Sequence, residues 1–238
     1  METTAAGVVL ASGAGTRVGA ALNKVYLPVA GRRVVAWSLA AFAAVPGIGV
    51  LVLVIRPEDE ALATEVLAEH PGPVEIVNGG PTRQASELNA LRHLTPRVES
   101  GALDAVLIHD AARPLVTPAL IGDVLARTRE HGGAVPGLAA DDVVAVSAGG
   151  TIAARLPGAI RVQTPQGFRA RPLVAAYEQA EAEGFLGTDT ASCMERFSGL
   201  PVRWVPGGAE NMKITYPHDL AVAERLLSGP RDGARSAG

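Results

Sequence analysis

The stretch GVVLASGAGTRVGAALNKVYLPVAG, residues 7–31, decides the fold. It opens with a short apolar run from Val8 to Leu10, breaks into small residues from Ala11 to Gly15, and then places two cations, Arg17 and Lys24. An apolar run that ends in a glycine loop is how a buried parallel strand meets a helix. Backbone N–H groups at such a junction are unpaired, and the side chains are too small to block a ligand, so the loop makes an anion cradle. Gly13, Gly15 and Gly19 are spaced G-x-G-x-x-x-G. That is neither the dinucleotide fingerprint G-x-G-x-x-G nor the P-loop G-x-x-x-x-G-K-[ST].

The chain carries 21 Lys and Arg residues, yet lysine stands only at Lys24 and Lys213. Lysine is a compact point charge on a flexible stem and arginine a planar fork, so the two are not interchangeable before a phosphate. The functional reading is two phosphate-facing ammonium groups; the plain alternative is chance survival.

Working outward, 238 residues with 48% hydrophobic content suit one α/β domain, placed at 1–227, with a polar tail at 228–238 predicted to be disordered. No apolar run reaches the length of a membrane span. The METTAAG start lacks the pattern of a signal peptide. The single cysteine, Cys193, excludes an internal disulfide framework and a cysteine metal cluster. A net charge of −3 without a basic tract argues against a nucleic-acid partner. A cytoplasmic protein without membrane partners is the expectation.

Helix and strand patterns alternate after the opening loop. Helices are predicted at 33–45, 57–69 and 117–130, with another continuing through Leu94 after the 78–86 loop, and strands at 50–55, 74–77 and 105–108. This reads as a doubly wound, mostly parallel sheet, which binds ligands beyond the carboxyl ends of its strands. Three loops then share one rim: 11–17, 79–86 and 109–114. A core strand at 134–139 leads into a hairpin, 142–147 and 151–156 around Gly149-Gly150, at the heart of a β-arm at 141–161. A hairpin outside the sheet has unpaired edges and needs a partner, most economically the same arm of a second subunit. Helices are predicted at 171–183 and 189–197, the second capped by Thr188. Strands at 202–205 and 212–215 and a closing helix at 217–227 complete the chain.

Six segments in order, ASGAGTRVG with NKVYLPV, GGPTRQAS, IHDAARP, QTPQGF, GTDTAS and ENMKITYPHDL, span residues 11–220. On these segments the chain resembles the cytidylyltransferases that join CTP to a polyol phosphate, nearest the 2-C-methyl-D-erythritol 4-phosphate cytidylyltransferase family, with the ribitol 5-phosphate enzymes as rivals. The resemblance implies transfer of CMP to a substrate phosphate with release of pyrophosphate. It implies Arg17, Lys24 and Lys213 as catalytic cations, and nucleotide contacts at Ala11, Ser12, Gly13, Gly15, Gly80, Arg83, Ser86, Asp110 and Ala111. It implies Asp110 as a Mg²⁺ ligand, acceptor contacts at Arg113, Asp142, Arg155, Thr164 and Thr188, and a homodimer through the β-arm. Leu10-Ala11-Ser12-Gly13 stands where the family usually has P-A-A-G, and Asn23-Lys24 where it has P-K. In the arm, Asp141-Asp142-Val143-Val144 replaces D-T-[IMV]-K, and Leu156, beside Arg155, replaces an arginine.

Plainer roles stand beside these: Asp110 as a cap, Arg113 as a surface ion pair, His109 as a satisfied rim histidine and Cys193 as packing. An NAD(P)-dependent oxidoreductase would need G-x-G-x-x-G and an acid after the second strand, where Arg56-Pro57 stands instead. A catalytically silent nucleotide-binding protein is disfavoured by the joint presence of Arg17, Lys24 and Asp110.

Overall fold

The computed structural model describes residues 3–13 and 22–229. The chain runs β1 (Thr4–Leu10), a small hairpin of β2 (Pro28–Val29) and β3 (Arg32–Arg33), α1 (Val34–Ala43), β4 (Ile48–Ile55), α2 (Glu60–Ala68), β5 (Glu75–Asn78), α3 (Arg83–Glu99), β6 (Leu103–Asp110) and α4 (Pro118–His131). It continues through β7 (Gly133–Ala139), β8 (Val144–Val146), β9 (Ile152–Arg155), β10 (Ile160–Val162), β11 (Gln166–Arg169), α5 (Ala170–Ala182), α6 (Thr190–Phe197), β12 (Val202–Pro206) and α7 (Pro217–Ser228).

The apolar run of the opening stretch becomes β1, which lies inside the sheet. It pairs in parallel with β4 on one side and β6 on the other, and β4 pairs in parallel with β5. Both faces of these strands are covered, which is why their sequences read as continuous apolar runs. Ala5, Val9, Leu53, Ile55 and Leu107 point into one core, under α1, α2 and α4. Ala6, Val8, Val52, Val54 and Ile108 point into the other, under α3, α5 and α6. The sheet is therefore wound on both faces. Its far half is mixed: β11 lies antiparallel between β6 and β7, β10 runs antiparallel to β7, and β12 pairs with β7 in parallel.

Helix starts follow their caps. Thr82 and Thr117 accept hydrogen bonds from Ala85 N and Leu120 N, and Pro118 takes the first position of α4. Helix α6 is capped by Asp189, not by Thr188 as the sequence suggested. The Asp189 carboxylate takes both the Ser192 N–H at 2.9 Å and Gln166 Nε2 at 2.8 Å, an anchorage beyond one threonine hydroxyl. Helix α3 runs on to Glu99 with Pro96 inside it, past the predicted end at Leu94. The strand expected at 212–215 is not one. That segment forms no ladder, and is held by one backbone bond, Ile214 N to Ala112 O at 2.8 Å, with Ile214 buried under α7.

Strands β8 and β9 form a two-stranded sheet of their own. Val146 and Ile152 on it are 58% and 67% exposed. Among the described residues, no helix is long and apolar enough to cross a membrane.

Candidate active site

A cleft of about 690 Å³ opens at the carboxyl ends of β1, β4, β5 and β6, where a wound sheet binds its ligands. One wall is Ser12 and Gly13 after β1, with Lys24 from the turn that follows. Arg56, Pro57 and Glu58 after β4 and the loop from Gly79 to Arg83 form a second wall. Asp110 and Ala112 after β6, with Lys213, close the third. Both lysines of the chain thus face one cavity.

The walls touch through small residues. Ser12 Oγ donates to Ser86 Oγ at 2.9 Å, and Ser86 Oγ accepts from Gly80 N at 3.1 Å. A Cβ at Gly79 would stand 2.5 Å from Ser12 Cβ, and one at Gly80 2.5 Å from Ala85 Cβ. Glycine at 79 lets the second rim loop close against the first, and glycine at 80 lets that loop fold onto the start of α3.

Asp110 gathers cations from distant segments. Arg83 Nη1 pairs with its Oδ1, Lys213 Nζ donates to its Oδ2 at 2.7 Å, and Arg113 Nε lies 3.9 Å away. Burial alone would raise the Asp110 pKa; Arg83 and Lys213 override it and hold the carboxyl far below the usual range. Arg83 is fixed from its other side by Glu87, whose Oε1 lies 3.0 Å from Arg83 Nε. Glu87 is buried and accepts from Tyr177 Oη at 2.6 Å and Thr190 Oγ1 at 3.0 Å. Burial raises the Glu87 pKa.

The segment carrying Lys213 is tied to the rim on several sides. Arg113 Nη1 donates to Asn211 O at 2.7 Å, and Asn211 Nδ2 to Thr164 O at 2.9 Å. Thr164 Oγ1 accepts from Asp110 N at 3.0 Å and lies 3.1 Å from His109 Nδ1. His109 Nε2 lies 3.2 Å from Arg113 O. A neutral ring donating from Nε2 and accepting at Nδ1 satisfies both contacts. Burial pushes the His109 pKa down to about 4, in keeping with that neutral ring.

The cleft thus unites Ser12, Gly13, Lys24, Gly80, Arg83, Ser86, Asp110 and Lys213. Ala11 and Ala111 sit behind it, buried, with their N–H groups given to Val54 O and Leu10 O. Arg113 and Thr164 back the rim and do not line it. Asp142 and Arg155 lie on the arm, where Asp142 pairs with Arg161 at 2.9 Å. Thr188 stands beside the α6 cap and does not line the cleft. Gly15 and Arg17 lie outside the described residues. Sequence reasoning passed over Arg56 and Glu58, which line the cleft, and Asn23, Asp59 and Glu87, which brace it. The signal for the first group was R-P-E-D directly after an apolar strand.

A sheet wound on both faces, with a cation-lined cleft of small residues at its strand ends, is an α/β architecture suited to a phosphorylated ligand. The family described as IspD, 2-C-methyl-D-erythritol 4-phosphate cytidylyltransferase, matches residues 5–229, and the chain belongs to it. The 2-C-methyl-D-erythritol 4-phosphate cytidylyltransferase of Cereibacter sphaeroides (strain KD131) is 40% identical over 227 residues, 94% of this chain and 97% of that protein. The crystal structure of 4-diphosphocytidyl-2C-methyl-D-erythritolsynthase from Anaerococcus prevotii matches with a TM-score of 0.84 at 26% identity, over 95% of this chain and 99% of that one. That of 2-C-methyl-D-erythritol 4-phosphate cytidylyltransferase from Thermus thermophilus gives a TM-score of 0.68 at 31% identity, over 92% of this chain and 96% of that one.

Proposed function

We propose that this chain transfers CMP from CTP to the phosphate of 2-C-methyl-D-erythritol 4-phosphate. The observation that carries the proposal is the meeting of Lys24 and Lys213, the chain's two lysines, with Asp110 in one cleft. An acceptor phosphate oxygen forms a bond to the α-phosphorus of CTP while the bond to the β-phosphate oxygen breaks, and pyrophosphate leaves. The nucleophile is already an anion, so no general base is required. Catalysis is positioning and charge stabilisation. His109, neutral and with both nitrogens engaged, takes no part in proton transfer.

Lys24, with Arg17, meets the triphosphate and the charge that builds on the pentacoordinate phosphorus. Backbone at Ser12, Gly13 and Gly80, with Arg83 and Ser86, lines the nucleotide. Lys213, held by Asp110, turns toward the acceptor phosphate, with Arg113, Thr164 and Thr188 on the acceptor side. Among the described residues, no cluster of three or more His, Cys, Asp or Glu side chains is arranged to hold a metal. Asp110 would hold Mg²⁺ by releasing one of the two cations on its oxygens, Arg83 or Lys213. Bound there, Mg²⁺ would neutralise phosphate charge. The exposed apolar positions of the arm, Val146 and Ile152, support a homodimer in which Asp142 and Arg155 approach the partner's acceptor site. The one cysteine, free and buried, suits a cytoplasmic location.

The test is pyrophosphate release with each of CTP, UTP, ATP and GTP against a panel of polyol phosphates. Release with CTP and 2-C-methyl-D-erythritol 4-phosphate supports the proposal. A preference for ribitol 5-phosphate, or equal turnover of all four nucleotides, contradicts it.

A further inference from the structure

Lys24 opens a three-residue 3-10 turn, Lys24–Tyr26, and the residue before it fixes where that turn sits. Asn23 is 3% exposed. Its Nδ2 donates to Ala11 O at 2.8 Å and to Asp59 Oδ2 at 2.9 Å, and its Oδ1 lies 3.5 Å from Val25 N as the cap of the turn. Ala11 is itself held to β4, through its N–H to Val54 O at 2.7 Å. Asp59 is also 3% exposed, and its two oxygens take Arg56 Nε at 2.8 Å and Arg56 Nη2 at 2.7 Å. One amide therefore joins the end of β1, the turn that carries Lys24 and the entry to α2. Asn23 does not line the cleft, so it acts on the site through its neighbour.

We infer that Asn23, braced by Asp59 and Arg56, is a positioning residue that aims Lys24 at the transferring phosphoryl group; this rests on the role proposed for Lys24. Lysine is a long flexible stem, so its aim depends on where its backbone is anchored. A misplacement of about 1 Å at a reacting centre costs roughly 10²-fold in rate. Removing the amide leaves Ala11 O and Asp59 Oδ2 each short of a donor in a buried place. Both would draw back toward other partners and carry the turn with them. Aspartate at position 23 would be no substitute, because it offers no donor and sets a second carboxylate against Asp59.

The experiment is a double-mutant cycle, with steady-state kinetics on wild type, Asn23→Ala, Lys24→Ala and the double variant, and thermal melts alongside. The expected result is a fall in kcat of about 10–100-fold for Asn23→Ala, with the KM for the acceptor within about twofold of wild type. In the Lys24→Ala background the same change should cost less than about twofold, since the group it aims is gone. A merely structural role would give independent, multiplying losses, and that outcome overturns the inference. Wild-type turnover by Asn23→Ala overturns it too, when Lys24→Ala is impaired. Wild-type turnover by Lys24→Ala instead removes the reading of Lys24 itself. If Asn23→Ala does not fold, Asn23→Ser keeps an oxygen near Val25 N but loses the reach to Ala11 O and Asp59. It should then lower kcat about tenfold with Lys24 present and less than about twofold without it; equal losses in both backgrounds overturn the inference.

Discussion

Lys213 Nζ stands 2.7 Å from Asp110 Oδ2, although 103 positions separate the two residues in the chain. The same carboxylate takes Arg83 through its other oxygen. One side chain at the end of β6 thus sets a cation from the rim of α3 against a cation from the segment before α7. The cleft is held as one electrostatic unit, and its reactive charges depend on Asp110 staying ionised.

Asp110→Asn keeps the shape and removes the charge. Breaking a fully buried pair costs about 3–5 kcal/mol. Arg83 and Lys213 are each about a third exposed, so roughly 1–3 kcal/mol is the expected loss here. Activity should fall by about 10²-fold or more. Urea unfolding and steady-state kinetics read the two effects separately, and a variant with wild-type values in both would remove Asp110 from the centre of the site.

Lys24→Ala should act mainly on kcat, lowering it roughly 10²–10³-fold, as for a lost oxyanion donor. Lys213→Ala should lower kcat/KM for the acceptor at little cost in CTP affinity. Kinetics with each substrate varied in turn distinguishes them. Identical profiles for the two variants would contradict the division of labour.

His109 gives the fold a pH dependence of known sign. Its ordinary pKa of 6.5 falls to about 4 in the folded protein. Between these values the unfolded chain binds the proton and the folded one does not, so stability drops as pH is lowered through that window. Above pH 6.5 both states are neutral and nothing changes. The contribution is about 2 kcal/mol between roughly pH 7 and pH 5. Urea midpoints across that range should show it, and His109→Gln should flatten it. A wild-type slope retained in His109→Gln would assign the effect to another group.

Gly79→Ala would place a Cβ 2.8 Å from Ser86 Oγ as well as against Ser12. Forcing the two rim loops apart should cost about 1–3 kcal/mol and raise the KM for CTP. A CTP titration followed by a thermal melt checks both, and an unchanged KM would mean that this contact does not shape the nucleotide side.

Ile152→Asp on the arm should leave the subunit folded and shift the protein to a monomer, read by light scattering at micromolar concentration. A dimer that survives the change is built on another surface.

The first half of the chain was largely legible. Its parallel strands are buried on both faces, so apolar runs, glycine loops and capping threonines stand out one after another. Reading those loops at one rim placed Ser12, Gly80, Arg83 and Asp110 together correctly. The far half was less so. Strand β11 is four residues, Gln166–Arg169, too short to show a period, and its partners β6 and β7 lie well before it in sequence. The cap of α6 was misplaced by one residue: Asp189 forms a capping box with Ser192, and Gln166, brought close by the fold, donates to it as well. The braces Asn23, Asp59 and Glu87 carry no motif; they are polar residues whose importance lies in being buried, and burial is a property of the assembled sheet.

The central claim is the identity of the reaction. The most direct measurement is mass spectrometry of the product formed from CTP, Mg²⁺ and an equimolar mixture of 2-C-methyl-D-erythritol 4-phosphate and ribitol 5-phosphate. The account predicts the cytidine diphosphate conjugate of the methylerythritol as the main product, with one pyrophosphate released per conjugate. A ribitol conjugate as the main product, or consumption of CTP without any conjugate, would contradict it.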